Sequence, residues 1–399
     1  MMTKSRALFF FFLLHILARA SSYRTYDRDS LRAAPCTETI WESNGKTAAG
    51  GNGPGSALNQ LNSSYGIFVD SNRAVFVTDY LNRRVVKWDQ GALSGTIYAE
   101  GLCGASDLGD LCYPSAITFN KAGTLFVAVE NGSSGSVMSL KKGDTLIKTF
   151  ITANTSIYGI AWDENEEYLY LGHHREHRVD KYTKNGEFVK VVAGGNGLGP
   201  ALNQLDYRKN DIQKSRVLFR LVVCDWWADY CLSLVFLARG VAVDEYGSVY
   251  VADSGNQRVV KWMVNTTAAV LVAGGNGVGN RTDQFNVPGG MIRDKNGTLY
   301  VVDERNHRIL CILENAKNSV IIAGGHGQGS ASNQLSNPIY LAFDNEGSLY
   351  VSDWENFRVQ KFAVAVTPSS ASRYMYNPST WTLIFGILWL LVSSTNFSK

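Results

Sequence analysis

GVAVDEYGSVYVADSGNQRVVKW (residues 240–262), GGMIRDKNGTLYVVDERNHRILCI (residues 289–312) and IYLAFDNEGSLYVSDWENFRVQKF (residues 339–362) are three versions of one phrase. Aligned on Val251, Val301 and Val351, they repeat every 50 residues. A period of roughly 40–50 residues with several short strands per unit is the mark of a propeller blade or a similar array. Each phrase has the same parts. A short apolar strand ends in Asp244, Asp294 or Asp344, and three residues later comes Gly247, Gly297 or Gly347, where positive φ is cheap. An alternating strand follows, such as Leu299-Tyr300-Val301-Val302, with the period of two that a sheet requires. Then comes D-x-x-N-x-R, a third strand, and a fourth strand that runs into AGGNG or AGGHG at Ala49, Ala193, Ala273 and Ala323.

Weaker copies lie upstream, in residues 65–88, 114–140 and 158–182. The six markers are Val77, Val127, Leu171, Val251, Val301 and Val351, with steps of 50, 44, 80, 50 and 50. The spacing predicts an all-β fold, a six-bladed β-propeller of four-stranded antiparallel blades. After residue 362 no AGG segment follows, whereas a surplus fourth strand stands near residues 46–51. An N-terminal strand is therefore expected to close the ring, which removes exposed sheet edges.

Asn306-His307-Arg308-Ile309, with Asn256-Gln257-Arg258-Val259 and Asn356-Phe357-Arg358-Val359 beside it, resembles the signature of the NHL repeat family. The resemblance covers residues 39–366 and implies a six-bladed propeller. Relatives of that kind include protein-binding modules, RNA-binding modules of ubiquitin ligases, receptor-kinase sensor domains and a zinc-dependent peptide-amidating lyase. One fold hosts unrelated activities, so function must be argued from the site.

The ends of the chain carry addresses. Lys4 and Arg6 precede an apolar run and Ala18-Arg19-Ala20, the pattern of a secretory signal peptide over residues 1–20. Residues 21–38 read as a flexible polar segment. At the other end, residues 367–380 read as a linker and residues 381–399 as a hydrophobic tail. Its apolar part, WTLIFGILWLLV, would span about 18 Å as a helix, short of a ~30 Å hydrocarbon core. Small residues at 369–372 and a spacer before Trp381 match a GPI-anchor signal with lipidation at Ser370. A short membrane span and plain secretion remain open, because the tail ends in polar SSTNFSK. Six sequons lie between the addresses, at Asn62, Asn131, Asn154, Asn265, Asn280 and Asn296.

The step of 80 exceeds the period by 30. Comparing residues 333–344 with residues 203–207 and 239–244 places the excess at residues 208–237, which lack blade grammar. Two readings stand: a retained in-frame intron, whose removal could restore a proline codon where the repeat has Pro338, or a real excursion between blades. Of the six cysteines, Cys224 and Cys231 fall in this segment. Cys103 and Cys112 bracket a tight loop and are expected to form a disulfide in an oxidising compartment. Cys36 and Cys311 remain; pairing them requires the N-terminal strand to reach the fifth blade, whereas ring closure places it on the sixth.

The site chemistry is sparse. D-x-x-N-x-R recurs in four blades, which marks it as scaffold rather than ligand site. AGGNG lacks the following Lys-Ser/Thr and helix that a phosphate loop needs. His173, His174 and His177 are weak metal candidates, set where Gly172, Arg175 and Arg178 take the Asp, Asn and Arg slots. Two ligands from one hairpin would need a third from elsewhere, and the lyase's zinc histidines and catalytic residues find no residue-by-residue match. A net charge of +3 gives no field for nucleic acid. No cofactor and no catalytic residue is assigned. The expected function is an extracellular or cell-surface monomer that binds a protein or glycan partner without catalysis. The alternative is an extracellular metal-dependent enzyme of the amidating-lyase type, working in the central funnel.

Overall fold

The computed structural model describes residues 40–101, 112–132, 134–207, 240–314, 316 and 318–365. Twenty-four strands form six four-stranded antiparallel sheets. Blade one holds β2 (Ser64–Val69), β3 (Val75–Asp79), β4 (Arg84–Trp88) and β5 (Thr96–Glu100). Blade two holds β6 (Cys112–Phe119), β7 (Leu125–Asn131), β8 (Ser134–Leu140) and β9 (Lys148–Ala153). Blade three holds β10 (Ile157–Trp162), β11 (Tyr168–His173), β12 (Arg178–Thr183) and β13 (Phe188–Gly194). Blade four holds β14 (Val241–Val243), β15 (Val249–Asp253), β16 (Arg258–Trp262) and β17 (Val270–Gly274). Blade five holds β18 (Pro288–Arg293), β19 (Leu299–Asp303), β20 (Arg308–Ile312) and β21 (Val320–Gly324). Blade six holds β22 (Pro338–Phe343), β23 (Leu349–Asp353) and β24 (Arg358–Phe362), and its outer strand is β1 (Lys46–Gly50).

The expected closure is present. β1 runs antiparallel to β24, with Lys46 opposite Lys361 and Gly50 opposite Arg358. The lead-in to β1 reaches further. Trp41 packs edge-on against Tyr300 of blade five at 6.2 Å and at a tilt against Phe343 of blade six, also at 6.2 Å. The strand thus joins the sixth blade while its lead-in touches the fifth. Cys112 and Cys311 are both disulfide-bonded; Cys36 and Cys103 lie outside the described residues, as do both terminal addresses, Ser370 and residues 208–237.

The core is six-fold because each blade buries both faces. Tyr300, Val302 and Ile309 of blade five meet Leu341, Leu349 and Val351 of blade six. Equivalent apolar layers fill the interfaces of blades one and two, three and four, six and one, two and three, and four and five. The innermost strands approach one another through small residues. A Cβ on Gly240 would stand 2.4 Å from the Gly289 carbonyl, and one on Gly290 would stand 2.7 Å from the Ile339 carbonyl.

D-x-x-N-x-R forms the joint between consecutive blades. In blade five, Asp303 Oδ1 accepts from the Asn286 N–H at 2.7 Å, and Oδ2 accepts from Asn306 Nδ2 at 2.8 Å and Arg308 Nε at 2.7 Å. Arg308 carries on to the carbonyls of Asn280, Arg281 and Gln284, and Asn306 to that of Gly279. These acceptors lie in the loop that enters blade five. The same joint is made by Asp79, Asn82 and Arg84, by Asp253, Asn256 and Arg258, and by Asp353, Asn356 and Arg358. It explains the run of orphan carbonyls in AGGNG loops: the arginine fork satisfies them.

Register also locates the long step. Val241 lies opposite Val251 as Leu341 lies opposite Val351, so Gly240 takes the place of Tyr340. The Tyr207 N–H bonds to His177 Nδ1 as the Asn337 N–H bonds to His307 Nδ1, both at 3.1 Å, so Tyr207 takes the place of Asn337. Between Asn337 and Tyr340 stand two residues; between Tyr207 and Gly240 stand 32. A chain lacking residues 208–237 is therefore expected to fold to the same propeller. Shortening that connection sixteen-fold removes about 2 kcal/mol of loop-closure cost. The melting temperature of the shortened chain should equal or exceed that of the full one; a loss of the cooperative transition would contradict this.

Candidate functional site at the mouth of the ring

Three residues past each marker the repeats stop agreeing. That position holds Tyr80, Glu130, His174, Ser254, Glu304 and Trp354. Each sits at or just past the end of the second strand of its blade, so the six form a ring at one end of the central channel. Next to them, at the start of the inner strands, stand Tyr65, Ser115, Tyr158, Gly289 and Ile339.

Below this mouth the channel is stoppered. Gly66, Ala116, Gly159, Gly240 and Gly290 share one position of the inner strands, and the sixth blade has Tyr340 there. Five small residues leave room for one ring. The Tyr340 hydroxyl donates to the Tyr158 carbonyl of blade three, on the opposite side of the ring.

Above Tyr340 the aromatics form a ladder. Tyr65 stacks on Tyr80 with centroids 4.2 Å apart, and Tyr80 stacks on Tyr113 at 4.8 Å. Trp354 meets Tyr65 edge-on at 6.4 Å, and the Arg83 guanidinium caps Tyr113 at 5.5 Å. Glu130 is buried at the centre of this group and accepts from the Tyr80 hydroxyl at 2.6 Å. Burial, and then the Glu130 charge, pushes the Tyr80 and Tyr158 hydroxyls far up, so both stay protonated donors. Blades one, two, three and six thus give the mouth an aromatic half built around a carboxylate. Blades four and five give it a half of small residues, Ser254 and Gly289, beside the buried Glu304.

The histidines do structural work. Register sets His173 and Glu176 in the Asp and Asn slots of blade three, one residue later than the sequence reading placed them. The misplacement has a cause: blade three carries none of the slot residues except Arg178, which turns to Asp180 instead, with bonds of 2.8 and 3.0 Å. His173 is buried beside Asp180, at 3.2 Å. His174 Nε2 lies 3.2 Å from the Tyr207 carbonyl, and His177 Nδ1 accepts the Tyr207 N–H. The three rings do not converge, and no cluster of three His, Cys, Asp or Glu side chains suited to a metal occurs among the described residues.

His177 and His307 belong to a second inter-blade joint that sequence reading missed. With Gln257, they occupy the x of N-x-R in left-handed backbone, φ +50°, +52° and +55°. Each accepts the N–H of the residue 30 positions on: Tyr207, Asn337 and Val287. The signal was the constant offset of 30, which a search for local motifs does not reach.

Burial, then the Arg178 charge, lowers the His173 pKa from 6.5 to about 4. Arg178 already holds Asp180 through two bonds, so the carboxylate offers an imidazolium little. A depressed histidine pKa means the folded protein binds fewer protons than the unfolded one. The stability is present above pH 6.5 and is lost as pH falls towards 4, by about 3 kcal/mol. His173→Val, the residue type blade two has at Val129, is expected to lose less stability than the parent over this pH interval. Parallel denaturation curves at pH 7 and pH 4.5 check it; equal losses in the two proteins would refute it.

With this geometry in hand, comparison with known proteins is specific for the repeat. The model of the NHL repeat family matches residues 237–262 and 335–362. The chain carries NHL repeats. The two matched copies are the fourth and sixth blades. Among curated proteins none matches the sequence. Solved structures share the fold of this NHL propeller at low identity. A structural-genomics protein of unknown function from Bacteroides thetaiotaomicron is 16% identical, over 81% of this chain and 76% of that one, with a TM-score of 0.60. An auxiliary nutrient binding protein from Bacteroides ovatus is 12% identical over 82% and 78%, with a TM-score of 0.57. A second protein of that description, from Bacteroides thetaiotaomicron, is 12% identical over 76% and 69%, with a TM-score of 0.53.

The sequon asparagines all reach the surface of the NHL propeller. Asn154, Asn265, Asn280 and Asn296 are exposed, and Asn62 and Asn131 are half-buried.

Proposed function

We propose that the protein is an extracellular or cell-surface binding propeller that engages a protein or glycan partner at the mouth of its ring. The observation that carries this reading is the contrast within the repeat. Joint residues recur from blade to blade, whereas the six positions facing the mouth are Tyr, Glu, His, Ser, Glu and Trp. A scaffold under purely structural demand would repeat there too. Aromatic rings and an exposed arginine, here Arg83, are the side chains that binding surfaces concentrate. The signal-peptide pattern and six surface sequons support a secretory route. The tail over residues 381–399 supports membrane attachment, through a GPI anchor at Ser370 or a short span.

The test is binding of the secreted protein to arrays of glycans and of extracellular proteins, with Trp354→Ala and Arg83→Glu beside it. At least one ligand should be retained by the parent and lost by both variants while their melting temperatures stay close to the parent's. Ligand binding that both variants retain would refute the mouth as the site.

A further inference from the structure

A small groove of about 90 Å³, open to solvent, lies between blades three and four, away from the mouth. Its floor is apolar, made of the buried rings of Tyr170 and Trp262. Its sides carry Val191, Met263 and Val264, which are 40%, 47% and 52% exposed. Lys181 and Lys190 line it as well.

These lysines are out of keeping with the repeat. Lys181, Lys261 and Lys361 occupy the same position on the third strand, opposite Tyr170, Tyr250 and Tyr350. Lys261 is paired with Asp244 and Lys361 with Asp344, each at 2.9 Å. In blade three the turn between the first two strands is one residue longer, and Tyr168 stands where blades four and six have Ser248 and Ser348. The carboxylate of that turn, Asp163, accepts the N–H groups of Glu167 and Tyr168 through Oδ1, as Asp244 accepts those of Tyr246 and Ser248, but makes no direct pair with the lysine of its blade among the described residues. Lys181 lies over the Tyr168 ring instead, 3.5 Å from its centroid, and makes no ion pair among the described residues. Lys190 sits directly across from it on the edge strand, and donates to Asn265 Oδ1 at 3.1 Å. Like charges set directly opposite across two strands repel; burial lowers the Lys181 pKa, the Asp163 charge works against that without a direct ion pair, and Lys190 lowers it further.

We propose that this groove is a binding site for an organic carboxylate with an apolar body. The carboxylate would lie between the Lys181 and Lys190 ammonium groups and supply the direct ion pair that Asp244 and Asp344 supply to Lys261 and Lys361. The body would lie against Val191, Met263 and Val264 and over Trp262. Lysine acts as a point charge and sets no bidentate geometry, so selectivity comes from the apolar walls.

The test is calorimetric titration with phenylacetate, using glucuronate and acetate as parallel probes. Asn265 stands on the rim and heads a sequon, so the titration is run on the secreted Thr267→Ala protein, which keeps Asn265 but cannot be glycosylated there. Saturable phenylacetate binding is expected, weakened at least about tenfold by Lys181→Gln. Val264→Asp, which leaves both lysines in place, is expected to weaken it as well. Unchanged melting temperatures show that the variants are folded. The proposal is overturned by an absence of saturable binding or by binding that Lys181→Gln leaves intact. Equal affinity for glucuronate or acetate would also overturn it, since that is an anion site without the apolar selectivity.

Discussion

Asp303→Ala is expected to destabilise the propeller by about 3–5 kcal/mol and to lower its melting temperature by on the order of 10 °C. The size follows from what the substitution leaves behind. Asp303 is fully buried, and Arg308 is 3% exposed. Removing the carboxylate strands the Arg308 guanidinium, the Asn286 N–H and the Asn306 amide together. The intact pair is a weaker stabiliser than its geometry suggests. Burial pushes the Asp303 carboxyl above its usual value, even with three hydrogen bonds and the arginine pulling it down. The double variant Asp303→Leu/Arg308→Met is therefore expected to lose less than either single one, since no charge stays buried. Chemical denaturation of the three variants decides it. A double variant as unstable as the sum of the singles would mean that the pair acts as two independent contacts and that the joint is not a charge-paired unit.

The same joint explains why the fold was legible in the sequence. A motif that satisfies orphan carbonyls at each blade junction must recur at each junction, so Asp79, Asp253, Asp303 and Asp353 appear in register and betray the period. Glycines such as Gly274 and Gly324, held at φ +74° and +69° where a Cβ would strike the backbone carbonyls of Gln257 and His307, recur for the same reason. Ring closure was legible from the surplus strand alone.

The candidate site was hidden by the property that makes it a site. A position that takes five residue types in six blades gives no periodic signal, so Tyr80, Glu130, Ser254, Glu304 and Trp354 went unread and His174 was read only as a metal candidate, although all stand three residues past the markers. The histidines were read in the wrong register because blade three has lost the Asp and Asn that would align it, and its arginine bonds forward to Asp180. Partners 30 residues away, such as His307 and Asn337, become visible only when neighbouring blades are laid side by side. The Lys181 groove depends on one extra residue in a turn, a difference that a repeat search absorbs as a gap.

Trp41→Ala is expected to cost about 3–5 kcal/mol, the usual loss for truncating a buried tryptophan. Its consequence should exceed that of an equal loss elsewhere in the core. Trp41 is 7% exposed, packs on Tyr300 and Phe343, and donates its indole N–H to the Gly347 carbonyl at 2.9 Å. It thereby pins the lead-in of β1 across two blades. β1 itself is weakly anchored by side chains: Lys46 and Thr47 are exposed, and Lys46 lies opposite Lys361. Without Trp41 the clasp rests mainly on the ladder bonds of one short strand, and its release bares β24 as an unpaired edge. The variant should therefore show fast amide exchange in β1 and β24 and concentration-dependent association, in addition to a lower melting temperature. Trp41→Phe keeps the ring contact and loses the indole bond, so it should cost only about 1 kcal/mol and leave the edge protected. Equal exchange protection of β24 in Trp41→Ala and in the parent would show that the strand ladder alone holds the ring shut.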